Sequence, residues 1–438
     1  MPTEQIIAEY LVETPLPIEK VAAVMAGEQS CGTFTRVAGE TDELRSRAAA
    51  TVMEIELLDI VTDPSLESQY LQRKGLNGPF QRARVTIGFP QANVGTNLTA
   101  LAATVGGNLF DIGEVSGLRL EAVYLPASFR SHFAMPVKGV AGTREVLGVY
   151  DRPLFGTIIK PNLGMSPEQT GDLVATLCDA GADFIKDDEV CASPDHAPLA
   201  ARVKAVMARV RDFREKTGRN ILIAFNISDE TDAMRRHAEL VQAEGGNCVM
   251  ASLNWCGLAA LQSLRASTDL IIHGHRNGFG SMSRHPLLGF GYHAYQTLYR
   301  LCGLDHLHVH GIGGKFCNPA DEVAASGLQC LKPLTTNGPE TDKVMPVFSS
   351  GQWAGNIATT YEALHQSSDF LFLAGGGILA HPDGPAAGVA SLRQGWEALC
   401  AGMSVEEYGA TRPELAKALS FFGEKNSPSP VAPGAGPA

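Results

Sequence analysis

Eight short apolar runs, each followed by a longer stretch of helical spacing, fill the chain from Leu154 onward, and no other feature narrows the possible folds as much. They are LFGTIIKP (154–161), ADFIKDDE (182–189), ILIAFN (221–226), NCVMAS (247–252), DLIIHGH (269–275), DHLHVH (305–310), VMPVFSS (344–350) and DFLFLAGGG (369–377). The intervening segments carry helix signals. Segment 166–182 opens on Ser166 as N-cap with Pro167 at the first helical position and stops near Gly181, while 197–218 has an apolar stripe ending at Gly218. Eight strand–helix units over about 250 residues predict a (β/α)8 TIM barrel, an α/β fold. The competing doubly wound sheet would need a glycine-rich turn after its first strand, where Lys160, Pro161 and Asn162 stand instead.

The chain has 438 residues, more than such a barrel uses. Residues 1–135 alternate differently, in runs such as RVTIGFP (84–90) and LRLEAVYLP (118–126), and predict an antiparallel sheet with two helices. That is a smaller N-terminal α+β domain of the ferredoxin-like kind. The barrel is then expected over 136–405 and a helical extension over 406–425. The tail 426–438, made of Pro, Gly, Ala and Ser with nothing to bury, is expected to be disordered. Lys and Arg total 35 against 47 Asp and Glu, a formal charge of -12, which argues against a nucleic-acid partner while leaving room for a local anion pocket. No apolar span of ~20 residues is present for a membrane helix. The start MPTEQIIAEY lacks a signal-peptide pattern, and nine scattered cysteines without a C-x-x-C pair suit the reduced thiols of a cytoplasmic protein.

Barrel active sites lie at the carboxyl ends of the strands, so the polar residues ending each run are the candidates. These are Lys160 on the first, Lys186, Asp188 and Glu189 on the second, Asn226 on the third, and His275 and Arg276 on the fifth. His306, His308 and His310 end the sixth, Ser350 the seventh, and Gly375, Gly376 and Gly377 the eighth. In IKDDE a period of two puts Lys186 and Asp188 on one face with Glu189 just beyond. If CO2 converts Lys186 to a carbamate, the three supply oxygen ligands for a hard divalent cation; the plain alternative is a Lys–Asp ion pair in a solvated loop. Arg276, His308 and Lys315 of HGIGGKF would bring positive charge to the barrel mouth. GGG would add unobstructed backbone amides for a phosphate, or else form a simple turn. The alternating histidines would also suit zinc in a hydrolase barrel, or, for His273 and His306, simple packing beneath the site.

Taken together these motifs resemble the RuBisCO large-chain superfamily across nearly the whole length. GTIIKPNLG (156–164) is similar to its first-strand signature, which implies Lys160 as the enolising base, buried near the metal's charge and neutral enough to carry a proton. GADFIKDDEV (181–190) is similar to its metal signature and implies Mg2+ on carbamylated Lys186, Asp188 and Glu189. HGHRNG gives His275 and Arg276, DHLHVHGIGGK gives His308 and the lid lysine Lys315, SSGQ gives Ser350, and LAGGGILAHPDG gives Gly375, Gly376 and Gly377. In the N-terminal part EQSCGTFT resembles the segment that crosses to the partner subunit's site, giving Glu28, Thr33 and Phe34, and GGNLF gives Asn108.

The departures narrow the resemblance. Asn162 stands where the carboxylases carry a second lysine, Phe34 replaces a tryptophan, Gln352 replaces a glycine, and the second histidine after the His–Arg pair is missing. This is the pattern of RuBisCO-like (form IV) proteins. It implies Mg2+-dependent enediolate chemistry on a phosphorylated 3-oxo sugar acid or ketose phosphate, by decarboxylation, C–C cleavage or tautomerisation, without CO2 fixation on ribulose 1,5-bisphosphate. The implied catalytic residues are Lys160, Lys186, His275 and Lys315. Arg276 and His308 would grip a phosphate, while Thr33, Lys315 and the three glycines would hold a second anionic end. Glu28, Phe34, Asn108, Asn162, Ser350 and Gln352 complete the implied substrate contacts. A homodimer or a multiple of dimers without a small subunit is implied too. The alternatives are a methionine-salvage enolase or isomerase of methylthio-sugar phosphates, a non-catalytic or redox-linked binding protein, and the zinc hydrolase.

Overall fold

The structure is a computed structural model and describes residues 4–32, 37 and 39–426. Thr33, Phe34 and the tail from 427 lie outside the described residues.

A period of two builds the N-terminal sheet: in β1 (Gln5–Thr14), Ile6, Ala8, Tyr10 and Val12 are fully buried. The other strands are β2 (Thr51–Val61), β3 (Phe80–Pro90) and β4 (Gly117–Tyr124). Antiparallel pairing sets the order β4-β1-β3-β2. Helix Ile18–Glu28 packs on β2 and β3, and Tyr10 on β1 donates a hydrogen bond to the Val105 carbonyl of helix Leu98–Gly106 at 2.8 Å.

All eight apolar runs become the strands of a closed parallel barrel: β5 (Leu154–Ile158), β6 (Phe184–Lys186), β7 (Leu222–Asn226), β8 (Cys248–Ser252), β9 (Ile271–His275), β11 (His306–His308), β12 (Met345–Phe348) and β13 (Leu371–Leu373). Between β9 and β11 the chain makes a three-residue strand β10 (Leu288–Phe290), which joins the N-terminal sheet parallel to β4. The barrel interior is filled by residues two apart on each strand, such as Leu222 and Ala224, Cys248 and Met250, Met345 and Val347, Leu371 and Leu373. One step further along the same face, the filling turns polar.

The helix signals hold. Ser166 caps helix Pro167–Ala180 in a capping box with Gln169, and Gly181 and Gly218 end their helices in the left-handed region at φ 87° and 67°. The C-terminal stretch read as one helix is two, Val405–Gly409 and Pro413–Asn426, because Pro413 cannot donate the bond that would continue the first. No helix among the described residues is long and apolar enough to cross a membrane.

Candidate active site

Lys186 is the inward-facing residue above Phe184 on β6, so the alternation that packs the barrel delivers an amine to its upper layer. The side chain is 1% exposed. Its Nζ donates to the Asp187 carbonyl at 2.7 Å, touches Met250 Sδ at 3.4 Å and lies 3.8 Å from Glu189 Oε2. Burial therefore pulls the amine below the usual lysine range, against the pull of Glu189, Asp188 and Asp187. Asp187, the acid between the two predicted ligands, is spent on structure: it pairs with buried Arg202 at 3.1 Å and accepts from the Asn226 backbone N–H at 3.0 Å. Asn226 Nδ2 then donates to the carbonyls of Asp188 and Glu189 at 3.1 and 3.0 Å. The loop carrying both carboxylates is thus clamped from beneath.

Lys160 departs from the expectation of burial. Its side chain is 40% exposed, and Nζ donates to Asp188 Oδ2 at 2.6 Å and to Asn162 Oδ1 at 2.7 Å. Asn162 thereby orients Lys160, which has room at the strand tip because Pro161 and Asn162 lead straight into solvent.

Beside this corner opens a cleft of about 510 Å3, with Glu189 on its near wall and His275, Arg276, His308 and Ser349 among its lining. Arg276 is 3% exposed; Nη2 donates to the Val309 carbonyl at 3.3 Å, and the guanidinium lies 4.9 and 4.6 Å from the rings of Phe279 and Tyr292. Its Nε has no partner among the described residues. A buried cation held by a carbonyl and two ring faces is a strong demand for an anion. His275 Nδ1 accepts from the Asn277 backbone N–H at 3.3 Å, so Nε2 carries the proton and faces Glu189 Oε2 at 3.7 Å. Burial pushes His275 down to about 3, which keeps it neutral.

His308 lines the cleft, but both ring nitrogens already have protein partners, His273 Nε2 at 2.7 Å and Ser349 Oγ at 3.0 Å. The phosphate contact expected of it is not available in this arrangement. The same saturation removes the zinc reading: His306 is bound to Thr143 and His273, and no group of three or more His, Cys, Asp or Glu among the described residues is placed to hold a metal. His273 and His306 are packed beneath the site. A cation in the acidic corner would have to be completed by Lys186 itself. The donor set fits one, since burial disfavours the ammonium form of Lys186 and the neutral amine is the form that reacts with CO2.

The remaining candidates divide. Ser350 sits at φ 80° with Oγ buried and unpartnered among the described residues, and Ser349, one residue earlier, faces the cleft. Counting by two from Met345 and Val347 leads to Ser349, a signal that the sequence offered and that favours it over Ser350. Gln352 is 2% exposed and turned under the lid, its Nε2 donating to the carbonyls of Ile312 and Ser350 at 3.3 and 3.2 Å. Lys315 is exposed on that lid, with Nζ 5.6 Å from the Phe316 ring, and does not line the cleft. Of the three glycines, Gly375 and Gly376 open a short helix toward solvent, whereas a Cβ on Gly377 would stand 2.6 Å from the Gln352 carbonyl. Gly377 is a packing glycine. Glu28 ends helix Ile18–Glu28, which touches the turn Asn108–Asp111; the two motifs meet, but neither residue lines the cleft of its own chain.

Comparison with known proteins agrees with this geometry. Family models of the ribulose bisphosphate carboxylase large chain match residues 2–129 (N-terminal domain) and 139–422 (catalytic domain). A crystal structure of a rubisco-like protein from Burkholderia fungorum superposes with a TM-score of 0.90 at 55% identity, covering 95% of this chain and 100% of that one. Among curated relatives, the 3-oxo-isoapionate-4-phosphate transcarboxylase/hydrolase of Xanthobacter autotrophicus is 44% identical over 96% of this chain and 100% of its own length. The 3-oxo-isoapionate-4-phosphate decarboxylase of Rhizobium etli is 40% identical over 95% and 98%. With its eight-stranded barrel, its N-terminal α+β sheet and both domain signatures in order, the chain belongs to the ribulose bisphosphate carboxylase large-chain family, among its RuBisCO-like members.

Proposed function

We propose that the protein is a Mg2+-dependent lyase that removes CO2 from a phosphorylated 3-oxo sugar acid. The observation carrying this is a buried, anion-seeking Arg276 in the same cleft as Glu189, the outermost group of the acidic corner. Arg276 would bind the phosphate, placing the other end of a short sugar acid against Glu189, Asp188 and Lys186. Mg2+ held by carbamylated Lys186, Asp188 and Glu189 would supply electrostatic stabilisation of the negative charge that develops on adjacent oxygens. In the decarboxylation the bond to the carboxylate carbon breaks, CO2 departs, and its electron pair remains on the substrate as an enediolate. A proton must then be returned to carbon. Lys160 suits that step, because an amine donating to Asp188 and Asn162 is arranged to give a proton, whereas enolisation would begin by taking one. The names of the relatives from Xanthobacter and Rhizobium support this substrate class. The position of Glu28 and Asn108, away from their own cleft, supports a homodimer in which they serve the partner.

Incubation with 3-oxo-isoapionate 4-phosphate and MgCl2 is expected to release CO2 stoichiometrically and to stop on addition of EDTA, with no labelled CO2 entering ribulose 1,5-bisphosphate. Solvent deuterium exchange into a methylthio-ketose phosphate without CO2 release would sink the reading in favour of the enolase. For Arg276→Gln the KM for the phosphorylated substrate is expected to rise about 10- to 100-fold, the equivalent of the ~1.5–3 kcal/mol of a hydrogen bond to a charged group. An unchanged KM, or equal competition by inorganic phosphate in both proteins, would place the phosphate elsewhere.

A further inference from the structure

An unbroken line of hydrogen bonds crosses the barrel interior from Thr143 to Ser349. Thr143 Oγ1 is 2.8 Å from His306 Nε2, and His306 Nδ1 is 3.3 Å from His273 Nδ1. His273 Nε2 is 2.7 Å from His308 Nε2, and His308 Nδ1 is 3.0 Å from Ser349 Oγ. All five residues are buried. Burial holds the three imidazoles below their usual range, so each is neutral with a single ring proton.

The Thr143 end fixes the direction of every bond. Its Oγ1 is in hydrogen-bond contact with the carbonyl of Gly139, one turn earlier in helix Gly139–Leu147. A carbonyl only accepts, so the single hydroxyl proton goes there. Thr143 must then accept from His306 Nε2–H, which leaves His306 Nδ1 bare to accept from His273 Nδ1–H. His273 Nε2 is bare in turn and accepts from His308 Nε2–H. His308 Nδ1 accepts the Ser349 hydroxyl proton.

We infer that Thr143, on the far side of the barrel core, sets the tautomers of His306, His273 and His308 and turns the Ser349 hydroxyl away from the cleft. Ser349 then meets a bound ligand as an acceptor. The ligand group opposite it is a donor, a hydroxyl of a polyol chain, and not a phosphate or carboxylate oxygen. Thr143, His306 and His273 are positioning residues outside the cleft lining; His308 and Ser349 line the cleft, and of this row Ser349 is the one that offers the ligand an acceptor. The inference concerns which group the cleft accepts and is independent of the reaction assigned to it.

Neutron diffraction from the perdeuterated full chain is expected to show deuterium on His308 Nε2, His273 Nδ1 and His306 Nε2, with the Ser349 deuteron aimed at His308. Deuterium on His308 Nδ1, or a doubly protonated ring anywhere in the line, overturns the inference. Nitrogen-15 NMR of histidine-labelled Thr143→Val and Thr143→Ser gives a second reading. Valine offers His306 no acceptor, so the line is expected to reverse and move the His308 proton to Nδ1; serine is expected to keep the native pattern. An unchanged His308 in Thr143→Val would remove Thr143 as the anchor. If that variant does not fold, diffraction from the native chain still decides. Neither readout needs a substrate, so failure of the decarboxylase reading would leave both interpretable.

Discussion

Lys186→Ala is expected to lower Mg2+-dependent CO2 release by about 10^3-fold or more, since electrostatic stabilisation by a bound cation is worth several kcal/mol and each ~1.4 kcal/mol is tenfold in rate. Asp188 and Glu189 alone are a poor site. Asp188 is already shared with Lys160, and Glu189 is a third exposed, facing His275 as well as Lys186. What would make the corner a cation site is the conversion of Lys186 from an amine into an anionic oxygen donor. Burial disfavours the ammonium form of Lys186, whose nearest partners are a carbonyl and a thioether with Glu189 farther off at 3.8 Å, and the neutral amine is the form that such a conversion needs. Two measurements check the idea: steady-state turnover with and without EDTA, and a 13C carbamate signal after exposure to labelled CO2 and Mg2+. The native chain should show the signal and Lys186→Ala should lack it. EDTA-insensitive turnover in both proteins would discard the carbamate site.

What was legible in the sequence is what a short-range period determines. Eight runs predicted eight barrel strands, Ser166 and the glycines at 181 and 218 marked helix ends, and IKDDE placed Lys186, Asp188 and Glu189 in one corner. What was not legible depends on which partner a side chain meets across the fold. His308 reads as a free donor until His273 and Ser349 arrive from other strands and consume both nitrogens. Gln352 reads as a site residue until the lid passes over it, so close that a Cβ on Gly311 would stand 2.1 Å from its Nε2. Lys160 was expected in the interior, yet the strand ends two residues before it. The three residues of β10 carry no periodic signal at all, and their pairing is set by β4, which lies more than 160 positions away along the chain.

Asp305→Ala is expected to destabilise the fold by about 3–5 kcal/mol, a large share of the ~5–15 kcal/mol that holds a typical domain together. Asp305 is fully buried at the start of the run that leads into β11, and all four of its bonds come from donors. Oδ1 accepts from the backbone N–H groups of Lys138 and Gly139 at 2.6 and 3.0 Å, which fixes the first turn of helix Gly139–Leu147. Oδ2 accepts from the Ile272 N–H at 2.9 Å and pairs with buried Arg265 at 3.0 Å. Burial works against the carboxylate, raising it above the ordinary range, so its partners exist to offset a cost, and removing it strands them all. Asp305→Asn separates the causes. It keeps the volume and one acceptor but aims an amide N–H2 at two donors, so it should recover only part of the loss. Urea unfolding midpoints of the three proteins measure this. A loss under ~1 kcal/mol in Asp305→Ala would mean that water replaces the carboxylate and that the barrel floor is not dry. A full loss would also loosen the helix that holds Thr143, so the floor of the barrel and the proton pattern under its mouth would fail together.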